Sequence, residues 1–241
     1  VYEYLGPDTT FITFSDAAFK KETEKGHALK GTIVLRVPAE RQRARGGVPQ
    51  GRPSCAQSYN SYRSGPCHVI DELAKSVRHV TRSTFSAELF SAGDAADHSM
   101  LLRQIAHEFR HGPLTASDEV SLREGRLATT GQIDWVLDAL SVYAAVTATH
   151  IKIPTEKSLL SHVQYLRELL DMRIIDSIIW TDTRDMLADA LTKGSVDRER
   201  LCQALAGHLT VQYDYKQWRP PSRADVQEPN GDELPRLPAN W

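Results

Sequence analysis

Short β-branched segments alternate with longer stretches of helical periodicity along this chain, and this alternation limits the possible fold more than any other feature. Three strand-like segments come first, at residues 10–14, 28–37 and within 68–80. A helix, a strand, a helix, a strand and a closing helix follow. Three consecutive strands favour a meander, whereas strands separated by helices favour right-handed parallel crossovers. We therefore predict an α/β domain with a mixed five-stranded sheet and helices on both faces.

The helical pattern begins at Thr84, where apolar residues recur every three or four positions. Ser83 or Thr84 can cap this helix, which we expect to run to about Phe109. The later elements are predicted in this order: a strand at 132–137, a helix within 141–146, a helix from Thr155, a strand at 174–180 and a helix at 187–205.

Two segments are too polar and broken to build a core, and we predict them to be flexible insertions at about 38–66 and 111–131. The domain itself is expected at 10–206. An N-terminal extension at 1–9 precedes it, and a C-terminal extension at 207–241 follows. Because the tail is rich in proline and acidic residues, we expect it to be largely disordered past residue 218.

Charge and cysteine content exclude several classes of protein. Lys and Arg total 29 and Asp and Glu total 31, so a positively charged field can only be local. Nine basic and three acidic residues lie between Arg36 and Arg82, which predicts a basic face. Three scattered cysteines suit neither a disulfide framework nor a zinc site, and they favour a reducing, intracellular compartment. No apolar stretch is long enough for a membrane span. The first residue, Val1, suggests a piece of a longer translation product.

Four acidic residues occupy special positions in these elements. Asp16 follows the first strand, Glu88 lies in the first turns of the long helix, Asp138 follows the fourth strand, and Asp189 begins the last helix. If the first and fourth strands are parallel neighbours, Asp16 and Asp138 lie at the same edge of the sheet. Close carboxylates repel each other unless a divalent cation neutralises them, and an all-oxygen ligand set favours Mg²⁺ or Mn²⁺.

Each acid alone has a simpler interpretation. Acids after strands mostly form turns, and acids early in helices interact favourably with the helix dipole. Asp134 is an alternative to Asp138 as the acid of the fourth strand, since a different strand register would change which of the two carboxylates points to the edge of the sheet.

The blocks that carry these acids resemble a known family. They read FSDAAF (14–19), HVTRSTFSAEL (79–89), VLDALSV (136–142) and MLADALTKG (186–194). In this order they are similar to the four acid-bearing blocks of the ribonuclease H domain in Ty1/copia-like LTR retrotransposon Pol polyproteins, and ADALTK is the most specific of them. The resemblance covers roughly residues 10–206.

The resemblance implies a ribonuclease H-like fold with strand order 3-2-1-4-5. It also implies two-metal hydrolysis of the RNA strand of RNA–DNA hybrids during reverse transcription, with two Mg²⁺ or Mn²⁺ ions held by Asp16, Glu88, Asp138 and Asp189. The reverse transcriptase portion of the same polyprotein would be a partner, in the cytoplasm or in virus-like particles. Possible contacts with nucleic acid are His79, Arg82, Ser83 and Lys157.

The chain departs from the family pattern at two points. The third block usually reads TDS or CDN, whereas this chain has Leu137-Asp138-Ala139. Relatives often carry a histidine before the last helix, but the segment 181–186 (TDTRDM) has none. A catalytically weak or inactive nucleic-acid-binding module therefore stays open as an alternative. An integrase or transposase core acting on DNA is a further alternative, because it shares the sheet and a carboxylate cluster, although the ADALTK block and the position of Glu88 argue against it.

Overall fold

The computed structural model describes residues 3–6, 8–19, 27–39, 64–78, 81–125, 127, 131–151 and 153–220. Within these ranges the strands are β1 (Thr9–Ala18), β2 (Leu29–Pro38), β3 (Gly65–Pro66), β4 (His68–Ser76), β5 (Ile133–Leu137), β6 (Ser177–Thr181), β7 (His208–Leu209) and β8 (Tyr215–Trp218). The helices are α1 (Thr84–His111), α2 (Ala116–Arg123), α3 (Leu140–Thr147), α4 (Leu160–Asp171), α5 (Asp189–Thr192) and α6 (Glu199–Leu205). Short 3₁₀ turns lie at Lys157–Leu159 and Thr183–Asp185.

The main sheet is mixed and has the order β4-β2-β1-β5-β6-β8. β1 pairs with β2 in an antiparallel arrangement and with β5 in a parallel one. The predicted α/β class and mixed sheet are confirmed, but the predicted five strands and the order 3-2-1-4-5 are wrong. β8 adds a sixth strand beyond β6, and β3 and β7 form a separate two-stranded sheet. Both β7 and β8 come from the predicted C-terminal extension.

Side chains of successive strand residues point to opposite faces of the sheet, and each face builds its own core. On one face, Phe11, Trp135 and Ile178 belong to a cluster that includes buried residues of α1, α3 and α4. On the other face, Phe14, Val136 and Ile179 pack with Leu187 beside α5 and with residues of α6. The expectation of helices on both faces is therefore met.

Helix α1 contacts the sheet mainly through small side chains. Its buried residues are chiefly Ala and Ser, and the Ser99 hydroxyl lies 2.7 Å from that of Thr13 on β1. Small residues let the helix backbone approach the strand closely, which brings the first turns of α1 to β1. Of the two predicted caps, Ser83 and Thr84, Ser83 caps the helix, since its side chain accepts a hydrogen bond from the Ser86 amide. Among the described helices, none is both long and apolar enough to cross a membrane.

Three predicted segments need correction. The predicted insertion at 111–131 contains α2, whose Thr115 cap forms a capping box with Asp118. The predicted insertion at 38–66 ends in β3, and its residues 40–63 lie outside the described part of the chain. The predicted single helix at 187–205 is two helices, because the chain turns at residues 193–198 between α5 and α6. Residues 221–241, for which disorder is predicted, also lie outside the described part.

A buried carboxylate fixes the segment that leads into β8. Asp185 is 2% exposed and accepts hydrogen bonds from the backbone amides of Gln212 and Tyr213, at 3.0 and 2.7 Å. Arg200 on α6 pairs with the same carboxylate at 2.5 Å. A buried carboxylate is stable only with such partners. Asp185 therefore connects α6 and the segment before β8 to the rest of the fold.

Candidate metal centre

Three acidic side chains from distant parts of the chain meet at one edge of the sheet. Each of Asp16, Asp138 and Asp189 offers a carboxylate oxygen, and these oxygens lie within 4.8 Å of one another. Asp16 and Asp189 are 0% and 1% exposed, whereas Asp138 is partly exposed. The group is therefore buried on one side and open to solvent on the other.

The parallel pairing of β1 and β5 places the first two acids together. Phe14 pairs with Val136, and the same register continued by two residues sets Asp16 beside Asp138. Asp16 lies inside β1, which continues to Ala18, and not beyond the end of the strand as predicted. The strand is longer than its apolar core because β2 pairs with it along its whole length, with Asp16 opposite Gly31.

Asp189 reaches the group because α5 packs very closely on β2. A Cβ atom added at Gly31 would lie 2.9 Å from Thr192 Cγ2 and 3.1 Å from the Ala188 carbonyl oxygen. Only glycine at this position leaves room for the helix. Asp189 is the first residue of α5, as predicted for the start of the last helical segment.

Hydroxyl and indole groups hold the acids in place. Thr192 donates a hydrogen bond to the Asp16 carboxylate, and Thr183 donates one to Asp138 Oδ2 at 2.9 Å. The backbone carbonyls are fixed as well: Ser91 of α1 donates to that of Asp16 and Trp180 of β6 to that of Asp138, both at 2.8 Å. None of these four donors belongs to the predicted site, although Thr192 and Thr183 stand in or beside the last acid-bearing block.

Glu88 lies next to the three acids without belonging to the close group. Burial, followed by the charges of Asp16 and Asp138, raises the pKa of Glu88 to about 9, although the charge of Lys193 and a hydrogen bond from the Ala17 amide oppose the rise. The four predicted acids are thus electrostatically coupled. Three of them share one set of close oxygens, and Glu88 flanks that set from the first turns of α1.

The cluster is costly to ionise without a cation. Burial, followed by the charge of Asp16, raises the pKa of Asp138 above its ordinary value. Burial, together with the charge of Asp16, raises the pKa of Asp189 to about 7, although a hydrogen bond from Lys193 opposes the rise. Both shifts mean that the protein environment disfavours negative charge on these carboxylates. A bound divalent cation would neutralise that charge and so stabilise the ionised cluster. The residues therefore fit a centre for hard, oxygen-preferring cations.

Lys193 is the most important residue of the site that the sequence reasoning missed. Its Nζ lies 2.5 Å from Asp189 Oδ1 and 3.4 Å from Asp16 Oδ1. Lys193 stands within the ADALTK block, four residues after Asp189, and this spacing places the two side chains on the same side of a helical turn. That spacing was the signal available in the sequence.

The structure also decides between Asp134 and Asp138. Asp134 is buried within β5 and accepts a hydrogen bond of 2.5 Å from Ser177, which in turn accepts one of 2.8 Å from Gln217 on β8. Asp138 lies four positions further along the chain, roughly 13 Å away at the usual rise per strand residue. Asp134 therefore belongs to a hydrogen-bond network across β5, β6 and β8, away from the three clustered acids.

The predicted contacts with nucleic acid lie in different environments, and they stay predictions. Arg82 and Lys157 are exposed, Ser83 is engaged as the cap of α1, and His79 lies outside the described residues. Within the predicted basic face, Arg36 is half-buried and donates hydrogen bonds to Thr9 Oγ1 at 3.1 and 2.8 Å. It has a structural partner and is not available to a ligand in this conformation.

A second spacing typical of metal sites lies at the end of α1. His107 and His111 are four residues apart in the segment HEFRH, and their ring centroids are 4.5 Å apart. No third His, Cys, Asp or Glu among the described residues completes a three-ligand group with them. Among the described residues the pair therefore lacks the third ligand that the candidate centre of Asp16, Asp138 and Asp189 has.

No protein-family model matches the chain, and no curated protein matches it with significance.

Proposed function

We propose that this chain is a metal-dependent nuclease with a ribonuclease H-like fold that hydrolyses the RNA strand of RNA–DNA hybrids. The observation that carries the proposal is the convergence of Asp16, Asp138 and Asp189 within 4.8 Å, with Glu88 beside them. The sheet is compatible with that fold, because a meander of β4, β2 and β1 continues into the parallel strands β5 and β6.

Each acid has a definite part in this proposal. Asp16, Asp138 and Asp189 would hold the cations, and Glu88 would complete the ligand set from α1. Bound divalent ions would activate the attacking water and stabilise the leaving oxygen of the phosphodiester. The Thr183 and Thr192 hydroxyls orient the Asp138 and Asp16 carboxylates toward the shared space. Ala139 is apolar where the family pattern has a polar residue after the acid, and Thr183 donates a hydrogen bond to the Asp138 carboxylate.

The choice of substrate rests on the resemblance of the four blocks, and the exposed side of the cluster supports it. Asp138 is partly exposed and the Lys193 side chain is 35% exposed, so a phosphodiester backbone can approach from solvent. Recognition of a hybrid would depend on groove shape and 2′-hydroxyl groups. The same resemblance supports the reverse transcriptase portion of a polyprotein as partner.

Cleavage of a labelled RNA–DNA hybrid in the presence of Mg²⁺ or Mn²⁺ tests the proposal. We expect the parent chain to cut the RNA strand and Asp16→Asn to lower the rate by at least about a hundredfold, because it removes a carboxylate shared by the cations. Asp214→Asn is the matched control, since Asp214 is exposed in the loop before β8. It should leave the rate unchanged.

Other substrates separate the alternatives. Duplex DNA cleavage or strand transfer without hybrid cleavage would favour an integrase or transposase core. Metal-dependent hybrid binding without any cleavage would favour a non-catalytic module. Failure to bind divalent cations at all would refute the proposal.

A further inference from the structure

The ammonium group of Lys193 lies where the clustered carboxylates converge. Its Nζ is 2.5 Å from Asp189 Oδ1 and 3.4 Å from Asp16 Oδ1, and both carboxylates are almost completely buried, with side-chain exposures of 2% and 1%. The charges of Asp16, Asp189 and Asp138 all act on it. Lys193 is thus a positively charged partner of every acid in the group.

Asp189 Oδ1 and Asp16 Oδ1 cannot serve an ammonium group and a divalent cation at the same time. Both ligands seek the same oxygen atoms, and the two acids are fixed in place. Thr192 donates a hydrogen bond to the Asp16 carboxylate, Ser91 donates one to the Asp16 backbone carbonyl, and the close packing of α5 on Gly31 positions Asp189. The lysine is the more mobile partner, because its side chain is 35% exposed and carries four rotatable methylene groups. Entry of a divalent cation therefore requires the ammonium group to move toward solvent.

We propose that Lys193 is a built-in counter-ion that competes with divalent cations for Asp16 and Asp189 and so sets the metal concentration at which the site fills. This inference rests on the proposed function, since it concerns the regulation of the same site. In metal-depleted protein Lys193 neutralises part of the cluster. When a cation binds, Lys193 leaves the carboxylates and lies at the solvent-exposed side of the centre.

Titration of Mn²⁺ into metal-depleted protein, followed by electron paramagnetic resonance and calorimetry, tests the competition. Lys193→Met keeps most of the length of the side chain and removes its charge. We expect this variant to bind Mn²⁺ about tenfold more tightly than the parent chain. The cation no longer has to displace a charged hydrogen bond, and the loss of such a bond changes a binding constant by about a factor of ten. Structural damage would weaken binding, so the direction of the change separates the two effects. Lys75→Met, at an exposed lysine of β4, should bind Mn²⁺ as the parent does.

A measurement on the unsubstituted chain does not depend on how the variant folds. Lysine residues are acetylated with and without Mg²⁺, and the modified sites are counted by mass spectrometry. We expect acetylation of Lys193 to rise severalfold with Mg²⁺, while that of Lys75 stays constant.

The possible results distinguish the two proposals. If the parent and Lys193→Met bind Mn²⁺ equally well, or if Mg²⁺ leaves the acetylation of Lys193 unchanged, the competition is refuted and the proposed metal centre stands. If neither chain binds Mn²⁺, the proposed function fails, and the competition fails with it.

Discussion

Replacement of Gly31 by alanine tests how closely α5 must lie on β2 to position Asp189. The added Cβ atom would be 2.9 Å from Thr192 Cγ2 and 3.1 Å from both the Ala188 carbonyl oxygen and Leu191 Cβ. The shortest contact is about 0.5 Å below the 3.4 Å at which ordinary van der Waals contact begins. Two of the three neighbours are a backbone oxygen and a Cβ atom, so the whole of α5 has to move.

The cost should appear both in stability and in metal binding. Overpacking of this kind destabilises a fold by about 1–3 kcal/mol. A shift of about half an ångström in Asp189 and Thr192 is also at the limit of what a metal site tolerates. We therefore expect Gly31→Ala to lower the free energy of unfolding by about 2 kcal/mol and to weaken Mn²⁺ binding severalfold. Urea unfolding and Mn²⁺ titration measure the two effects.

Gly93 provides the matched control, because it lies inside α1 with no atom within 4 Å of an added Cβ. Gly93→Ala should stabilise the protein by about 0.5–1 kcal/mol through reduced backbone entropy of the unfolded chain, and leave Mn²⁺ binding unchanged. Equal unfolding free energies for Gly31→Ala and the parent chain would refute the close seating of α5 and, with it, our account of how Asp189 reaches the site.

Two further predictions concern the acids. The pKa values of about 9 for Glu88 and about 7 for Asp189 exceed their ordinary values of 4.5 and 3.8, so the folded protein without metal binds more protons than the unfolded chain. The contribution of these two groups to the free energy of unfolding should be largest below about pH 4 and should decrease as the pH rises toward 7 for Asp189 and toward 9 for Glu88, by up to about 1.4 kcal/mol per pH unit for each group, and Mg²⁺ should reduce this slope. A rise in stability from pH 5 to 9 in EDTA would contradict this reasoning. Asp134→Asn should destabilise the fold but retain Mn²⁺ binding, whereas Asp138→Asn should weaken Mn²⁺ binding without a comparable loss of stability; the opposite result would assign the ligand role to Asp134.

The proximity of Asp16 and Asp138 could be predicted from the sequence, because this proximity depends on simple regularities of strands. Both acids follow apolar residues on strands, and parallel neighbours present equivalent residues at the same edge. The helix that carries Glu88 was predictable for a similar reason, since the Ser83 cap and the apolar spacing are local signals. These features require no knowledge of the remaining tertiary contacts.

The features that were missed depend on contacts between distant segments. The close packing of α5 involves Gly31, which lies far away in the chain. β8 has only four residues, and it is a strand because β6 offers a free edge and Asp185 holds the preceding segment. The position of Lys193 between two carboxylates depends on both α5 and β1. The capping box of α2 is a local signal in the sequence, but the polar residues around it led to the prediction of a flexible insertion.

β8 also determines where the folded unit can be shortened. A polypeptide that stops at residue 206 would expose the backbone amides and carbonyls of β6, together with apolar side chains on both sides of it, as an open edge. The opposite edge strand, β4, carries the charged residues Asp71, Glu72 and Lys75, and charged side chains disfavour pairing with another strand. By pairing with β6, the short strand β8 occupies the edge that could otherwise form backbone hydrogen bonds with a second copy of the sheet.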